Sequence, residues 1–270
     1  MFCCHNAADG RISSQPLPQL QNLASLSGMF NEIENFSSRQ DQRLQPYDTT
    51  DVQAEVLVFD TQRIQQIQRI VQQQGITRLV HFTRVDNLAS IMQHGIVPIA
   101  NAPGRRIAPV INDESRWDGH RDASCLSITR PNHHMFFGLR ADNPQVEWVV
   151  LLLQPSLLWT KPCAFKIHNA ADGRISSQPL PQLQNLASLS GMFNEIENFS
   201  SRQDQRLQPY DTTDVQAEVL VFDTIEPQYI FGAAFNKQEA KAAYEGLLAG
   251  RQVQLQATGG GLFASRSFVR

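Results

Sequence analysis

Four short segments concentrate the residue types that acid–base, phosphate or nucleobase chemistry requires. In HFTRVDNLAS, His81 and Thr83 stand two apart, a spacing that puts both on one face of a strand. There they could hydrogen-bond a ribose and an amide of a ligand; a half-buried histidine satisfied by backbone fits the same spacing. In NDESRWDGHRD, Arg116 and Arg121 flank Trp117, Asp118, Gly119 and His120. Guanidinium groups suit a pyrophosphate through paired, charge-assisted bonds, and a solvated charged loop is the competing account. In TRPNHHMFF, Arg130 with the histidine and phenylalanine side chains could form a stacking platform for unpaired bases. His133 and His134 invite a metal, but no HExxH, helically spaced carboxylate or cysteine partner accompanies them, so no metal is expected. In AEVLVFD, strand alternation sends Val219 and Val221 to one face and Glu218, Leu220 and Phe222 to the other. A carboxylate heading so apolar a strand is costly to bury unpaired, so Glu218 reaches either a cleft or the strand's solvated end.

Elements of both kinds must hold these residues. QRIQQIQRIVQQQG places Ile64, Ile67, Ile70 and Val71 on one helical face, ended by Gly75. TRLVHFT reads as a strand, and DNLASIMQHGI as a helix with Asp86 at its N-cap and Gly95 near its C-cap. The stretch from Asn101 to Asp122 lacks a period and reads as a long loop, of the kind that is usually functional. SCLSIT, EWVVLLL, CAFKI, AEVLVFD, IEPQYIFGAAF and QVQLQ follow as strands; RPNHHMFFGLR, LASLSGMFNEIENF and NKQEAKAAYEGLLA supply helices. Without strict βαβ alternation the fold class is α+β rather than doubly wound. No Walker loop, GxGxxG, GxSxG or zinc-finger spacing is present.

A repeat dominates the organisation. The 57 residues from His5 to Thr61 recur letter for letter from His168 to Thr224. Two perfect copies around a long unique stretch do not resemble a solenoid, whose several copies drift at a short period. Residues 1–61 hold 3 basic and 8 acidic side chains, against 20 and 18 in residues 62–270. The expected division is therefore an acidic duplicated segment, 1–61, that is a non-catalytic appendage or a competitor for the second copy's place, and a single domain, 62–270. Four cysteines without CxxC or framework spacing, and no signal peptide, point to a reducing cytoplasmic setting. WVVLLLQPSLLW is too short and too interrupted to span a bilayer, so no membrane association is expected.

In order, HFTRVDNLASIMQHGI, NDESRWDG, SITRPNHHMF, a short strand into NAA, and AEVLV resemble the DarT family, toxins of DarT–DarG toxin–antitoxin systems that move ADP-ribose from NAD+ onto bases of single-stranded DNA. The resemblance runs from about Ile76 to about Phe235. It implies an ADP-ribosyltransferase-like split, mostly antiparallel sheet with flanking helices and NAD+ as co-substrate. It implies that His81, Phe82, Thr83, Asn87 and Ser90 hold NAD+, that Arg116 binds NAD+ and is the catalytic arginine with Arg121 as fallback, and that Glu218 is the catalytic glutamate. It places Arg130, Asn132, His133 and Asn169 at the DNA, on a substrate loop spanning 168–217 in the last case. It further implies a macrodomain antitoxin. The YVPFYF-type aromatic pattern of the thymidine-modifying branch is missing, so guanine is the expected base, with thymine second. The same fold acting on protein or water, and a self-inhibited protein whose first copy fills the catalytic-strand slot, are the rival expectations.

Overall fold

The computed structural model describes residues 3–5, 12–14, 49–111, 119–168, 178–257 and 260–266, with side chains from Asp60 onward. The chain divides into two units, Met1–Ile64 and Gln65–Arg270. In the first, β1 (Cys3–His5) pairs antiparallel with β2 (Ile12–Ser14). Helix α1 (Thr49–Gln74) starts inside the first copy of the repeat and runs through the boundary. Residues 54–60, AEVLVFD, are thus helical, whereas the identical residues at 217–223 contain the strand β7 (Glu218–Val221). Ala, Glu and Leu favour helix and Val and Phe favour strand, so the local preference is divided.

The second unit is built on one sheet, in the order β6-β7-β4-β3-β5-β8-β9 among the described residues. Its strands are β3 (Leu79–Arg84), β4 (Ser124–Ile128), β5 (Trp148–Leu153), β6 (Cys163–Lys166), β7, β8 (Ile230–Phe235) and β9 (Gln252–Leu255). Every pairing is antiparallel except β8 with β9. The all-buried run Trp148–Leu153 marks β5 as a central strand covered on both faces.

One face packs Leu79, Leu126, Val149, Leu151, Phe165, Val219 and Val221 against Ile67 and Val71 of α1, Leu88 and Ile91 of α2 (Leu88–His94) and Leu189. The opposite face carries two smaller clusters. Val80, Val150 and Leu152 meet Phe136 of α3 (His133–Asp142). Ala164 and Leu220 meet Leu183 of α5 (Leu180–Leu183), after the short α4 (Leu157–Thr160). Helices α6 (Leu186–Gly191) and α7 (Gln238–Tyr244) complete the unit.

Three local expectations are corrected. Asp86 does not cap α2: it is exposed in a 3-10 turn, Val85–Asn87, and the N-cap position falls to Asn87, whose side chain makes no capping bond. The helix expected across LASLSGMFNEIENF stops at Gly191, because Met192 and Phe193 turn into the core and Thr213 N donates to Met192 O at 2.8 Å. The last helix ends at Tyr244 and tightens into a 3-10 turn, Glu245–Leu248.

Gly95, by contrast, ends α2 as expected, with φ 85° and its N–H on Ile91 O. A Cβ there would stand 2.3 Å from Ile225 O, where Ile96 and Ile225 exchange backbone bonds of 2.9 and 3.0 Å. At the start of β6, Lys161 Nζ donates to Asp223 at 2.8 Å and Glu226 at 2.7 Å. That ties together the two ends of the chain excursion that includes β6 and β7.

Candidate active site at a split in the sheet

Strand β4 changes neighbour along its length. Ser124, Cys125 and Leu126 pair with Val221, Leu220 and Val219 of β7. Only Ile128 and Ser127 pair with Leu79 and Val80 of β3. Beyond Val80, β3 continues to Arg84 paired solely with β5 among the described strands, so β3 and β4 part company at His81. In place of the next ladder bond, His81 Nδ1 lies 2.9 Å from Cys125 O. A carbonyl only accepts, so Nδ1 donates, and in the neutral ring Nε2 becomes the acceptor.

Thr83 is 2% exposed, on the His81 face of β3, and its Oγ1 accepts from Asn87 Nδ2 at 3.0 Å. The same Nδ2 donates to Val110 O at 2.9 Å, while Asn87 Oδ1 accepts from Val110 N at 2.8 Å. Asn87 is thus a clamp between β3 and the segment leading into the arginine loop. Ser90 is half-buried on α2. Phe82 points the other way and stacks on Phe136, centroids 4.5 Å apart. Arg116 and Asn169 lie outside the described residues; Arg121 is exposed, and its carbonyl accepts from Ala100 N at 2.9 Å.

Glu218 is the half-buried first residue of β7, whose other three residues are buried. It shares the face of Leu220, as its alternation requires, and stands across the β6–β7 ladder from Lys166. In the order of the sheet, β4 alone stands between the strands of His81 and Glu218. They belong to opposite faces, so a ligand touching both must pass through the opening between β3 and β4.

The segment feeding Glu218 is held by buried polar bonds that sequence patterning does not reveal. His168 Nδ1 meets Asp214 Oδ2 at 3.0 Å, and Asp214 Oδ1 accepts from Gln216 N at 2.8 Å. Arg266 donates to Thr212 O and Thr213 O at 2.6 and 3.0 Å, reaching back from the other end of the unit. Only the unusual density of polar residues in DTTD, so near an apolar strand, hinted at this fixture.

Of the residues expected at DNA, Arg130 and His133 line a concavity at the far end of β4, together with Pro131, Asp211, Thr212 and Arg266 among others. Arg130 Nη1 donates to Gly261 O at 3.1 Å. Asn132 is 3% exposed and caps α3, its Oδ1 accepting from Met135 N at 3.2 Å, so its side chain serves the helix. His133 stacks on His134 at 4.3 Å, and its buried Nδ1 has no hydrogen-bond partner among the described residues. Burial first, then the charges of His134 and Arg266, lower its pKa from 6.5 to about 4. Phe137, 67% exposed, lies one helical turn further on. Among the described residues no group of three His, Cys, Asp or Glu is placed to hold a metal ion, and no helix is long and apolar enough to cross a membrane.

The sequence model described as "ssDNA thymidine ADP-ribosyltransferase, DarT" matches residues 80–258, well over half of the chain. Solved structures that match include Thermosipho africanus DarTG in complex with ADP-ribose, at 18% identity and TM-score 0.45, covering 67% of this chain and 50% of that one. This chain thus spans about half the length of the Thermosipho protein. Thermus sp. 2.9 DarT also matches, in complex with NAD+ at 13% identity and TM-score 0.43, covering 67% and 96%, and in complex with ADP-ribosylated ssDNA at 13% and 0.44, covering 67% and 95%. No curated protein matches. On the extent of the family match, the chain belongs to the DarT family of ssDNA thymidine ADP-ribosyltransferases.

Proposed function

We propose that this protein transfers ADP-ribose from NAD+ to a base of single-stranded DNA, with Glu218 as the catalytic carboxylate and Arg116 as the arginine that holds NAD+. The observation that carries the reading is the split sheet within a DarT match: His81 at the point of divergence, and Glu218 heading the strand on the other side of β4. In the reaction the bond from ribose to nicotinamide breaks, and its electron pair leaves with nicotinamide. A base nitrogen forms the new bond to the same ribose carbon and releases its proton to water. Positive charge grows on the ribose, and a carboxylate bonded to the 2′-hydroxyl opposes it most where it is greatest. His81 Nε2 accepts from a ribose hydroxyl, while Asn87 and Thr83 fix the backbone beside it rather than meeting NAD+ through their amide and hydroxyl. Ser90 lies on the helix bordering the same strand.

The acceptor base must be unpaired, or flipped at a cost of about a few kcal/mol. Arg130 and His133, with the stacked His134 and exposed Phe137, offer cationic and aromatic surface to such a strand. Asn132 contributes by fixing that helix, and Asn169 belongs to the 168–217 stretch that the family resemblance assigns to substrate recognition. The family description favours thymine over the guanine expected from the missing aromatic pattern. Family membership further supports a cytoplasmic toxin countered by a macrodomain antitoxin. The first copy of the repeat is proposed to be a non-catalytic appendage, with Glu55 as an unused twin of Glu218.

Transfer of label from NAD+ to single-stranded oligonucleotides tests this. Glu218→Ala in the full chain is expected to lose about 10²–10³-fold in rate, and Glu55→Ala to lose none. Nucleoside analysis of the product names the base. Label on protein, or free ADP-ribose without labelled DNA, would transfer the reading to the rival substrates. Activity that survives Glu218→Ala but not Glu55→Ala would assign the slot to the first copy.

A further inference from the structure

Strand β4 ends in a turn that brings two guanidinium groups together. Thr129, just past Ile128, has a left-handed φ of 63°. Arg130 N donates back to Ile128 O at 2.6 Å, a γ-turn of the rare, strained hand. Arg78, which directly precedes β3, holds that turn from the side. Its carbonyl accepts from Thr129 N at 3.1 Å, and its Nε donates to Thr129 O at 3.1 Å. Burial and then the Arg130 charge lower the Arg78 pKa below the ordinary guanidinium range, with the Tyr210 phenol acting in the opposite sense. The two cations are therefore close enough to oppose each other. Arg78 and Arg130 are both half-buried, and each donates to a backbone carbonyl, Thr129 O and Gly261 O.

The surroundings suit an anion. Arg130 lines the concavity that also holds Arg266, His133 and Asp211. Cations outnumber that one carboxylate, whose Oδ2 already accepts from Gln208 N at 2.8 Å. Helix α3, ten residues long, begins at His133, so the positive end of its peptide dipoles adds to the rim. The buried His133 Nδ1 has no hydrogen-bond partner among the described residues. The position matters as much as the charge. The last residues paired between β4 and β7 are Leu126 and Val219, and Ser127 and Glu218 come next along each strand. The turn at Thr129 thus leaves β4 at the end where Glu218 begins β7.

Resting on the reading of this protein as a single-strand DNA ADP-ribosyltransferase, we propose that Arg78 and Arg130 together seat one backbone phosphodiester of the DNA beside Glu218. Guanidinium groups donate in pairs to phosphate oxygens, and one anion between two cations replaces their repulsion with attraction. Such a contact positions a strand without reading its sequence. Here it fixes the nucleotide that presents its base to the ribose. The pyrophosphate of NAD+ carries the same chemistry, and the arms of the experiment separate the two.

Binding of a labelled single-stranded oligonucleotide is followed by fluorescence anisotropy without NAD+, at several salt concentrations, for full-length wild type, Arg78→Gln, Arg130→Gln and the double variant. Each single change is expected to weaken binding about tenfold. In the double variant the slope of log K against log salt flattens by about 0.7, the share of one single-strand phosphate. Neutral methylphosphonate linkages, placed one at a time, locate the seat. One linkage costs wild type about tenfold and costs the double variant nothing further. KM for NAD+ stays unchanged. Wild-type DNA affinity and salt slope in the double variant overturn the proposal, and a raised KM for NAD+ alone assigns the arginines to the pyrophosphate instead. If the variants do not fold, the linkage scan on wild type decides, and a scan with no sensitive linkage counts against the seat. A wild type that binds the strand but transfers no label sinks the functional reading, while the binding arms still judge the seat.

Discussion

Replacing Asn87 by alanine removes three hydrogen bonds at once: to Thr83 Oγ1 at 3.0 Å, to Val110 O at 2.9 Å and from Val110 N at 2.8 Å. A typical intramolecular bond is worth about 1 kcal/mol net, which would set the loss near 3 kcal/mol. Thr83 is 2% exposed and loses a partner outright, but Val110 is 41% exposed, so its backbone groups can turn to water. The expected loss is about 2 kcal/mol, which for a domain of this size lowers Tm by roughly 4–8 °C. Val110 lies in the same 101–122 stretch as Arg116, six residues before it. Freeing it raises KM for NAD+ by on the order of tenfold, the equivalent of about 1.4 kcal/mol, with a smaller change in kcat. Asn87→Asp keeps the acceptor for Val110 N but loses both donors and sets a charge against two oxygens, so it fares no better. Thermal unfolding and NAD+ titration of the labelling rate measure both effects. Stability within about 0.5 kcal/mol of wild type together with an unchanged KM would refute the clamp.

Gly95→Ala combines a left-handed φ of 85° with a Cβ 2.3 Å from Ile225 O, so it is expected to cost about 1–3 kcal/mol. Gly104→Ala, with nothing within 4 Å of the new Cβ, is the control expected to stay within about 0.5 kcal/mol; denaturant midpoints compare them. His133 is the third case. Its pKa is lowered to about 4 in the folded protein, from 6.5. The unfolded chain therefore binds a proton that the native state refuses between those values. Its contribution is complete above about pH 6.5 and is lost as pH falls toward 4. Tm measured across that window should fall less steeply in His133→Gln than in wild type; parallel curves would contradict the assignment.

Much of the scaffold was legible because it rests on local patterns. The aliphatic run at Trp148–Leu153, the short strands around it, the helix-ending glycines and the lone carboxylate at the head of β7 are all written in residue type and spacing. The parity that sets Glu218 with Leu220, away from Val219 and Val221, follows from alternation alone. Reading side-chain chemistry from the same letters was less secure. Asn132 Oδ1 accepts from Met135 N and Thr83 Oγ1 accepts from Asn87 Nδ2, bonds that residue type alone does not disclose. Each depends on which chain segment arrives beside it.

The repeat shows where the limit lies. Sequence by itself determined that residues 54–60 and 217–223 carry the same side chains, an amphipathic strand pattern among them. It did not determine their conformation, since one copy lies in α1 and the other supplies β7. A helix satisfies its backbone within itself, whereas a strand must borrow partners, and only residues 217–223 arrive between β4 and β6. The same borrowing sets Lys166 against Glu218 and ends the β3–β4 ladder at His81. Those juxtapositions join residues far apart in the chain, so they exist only once the sheet has closed.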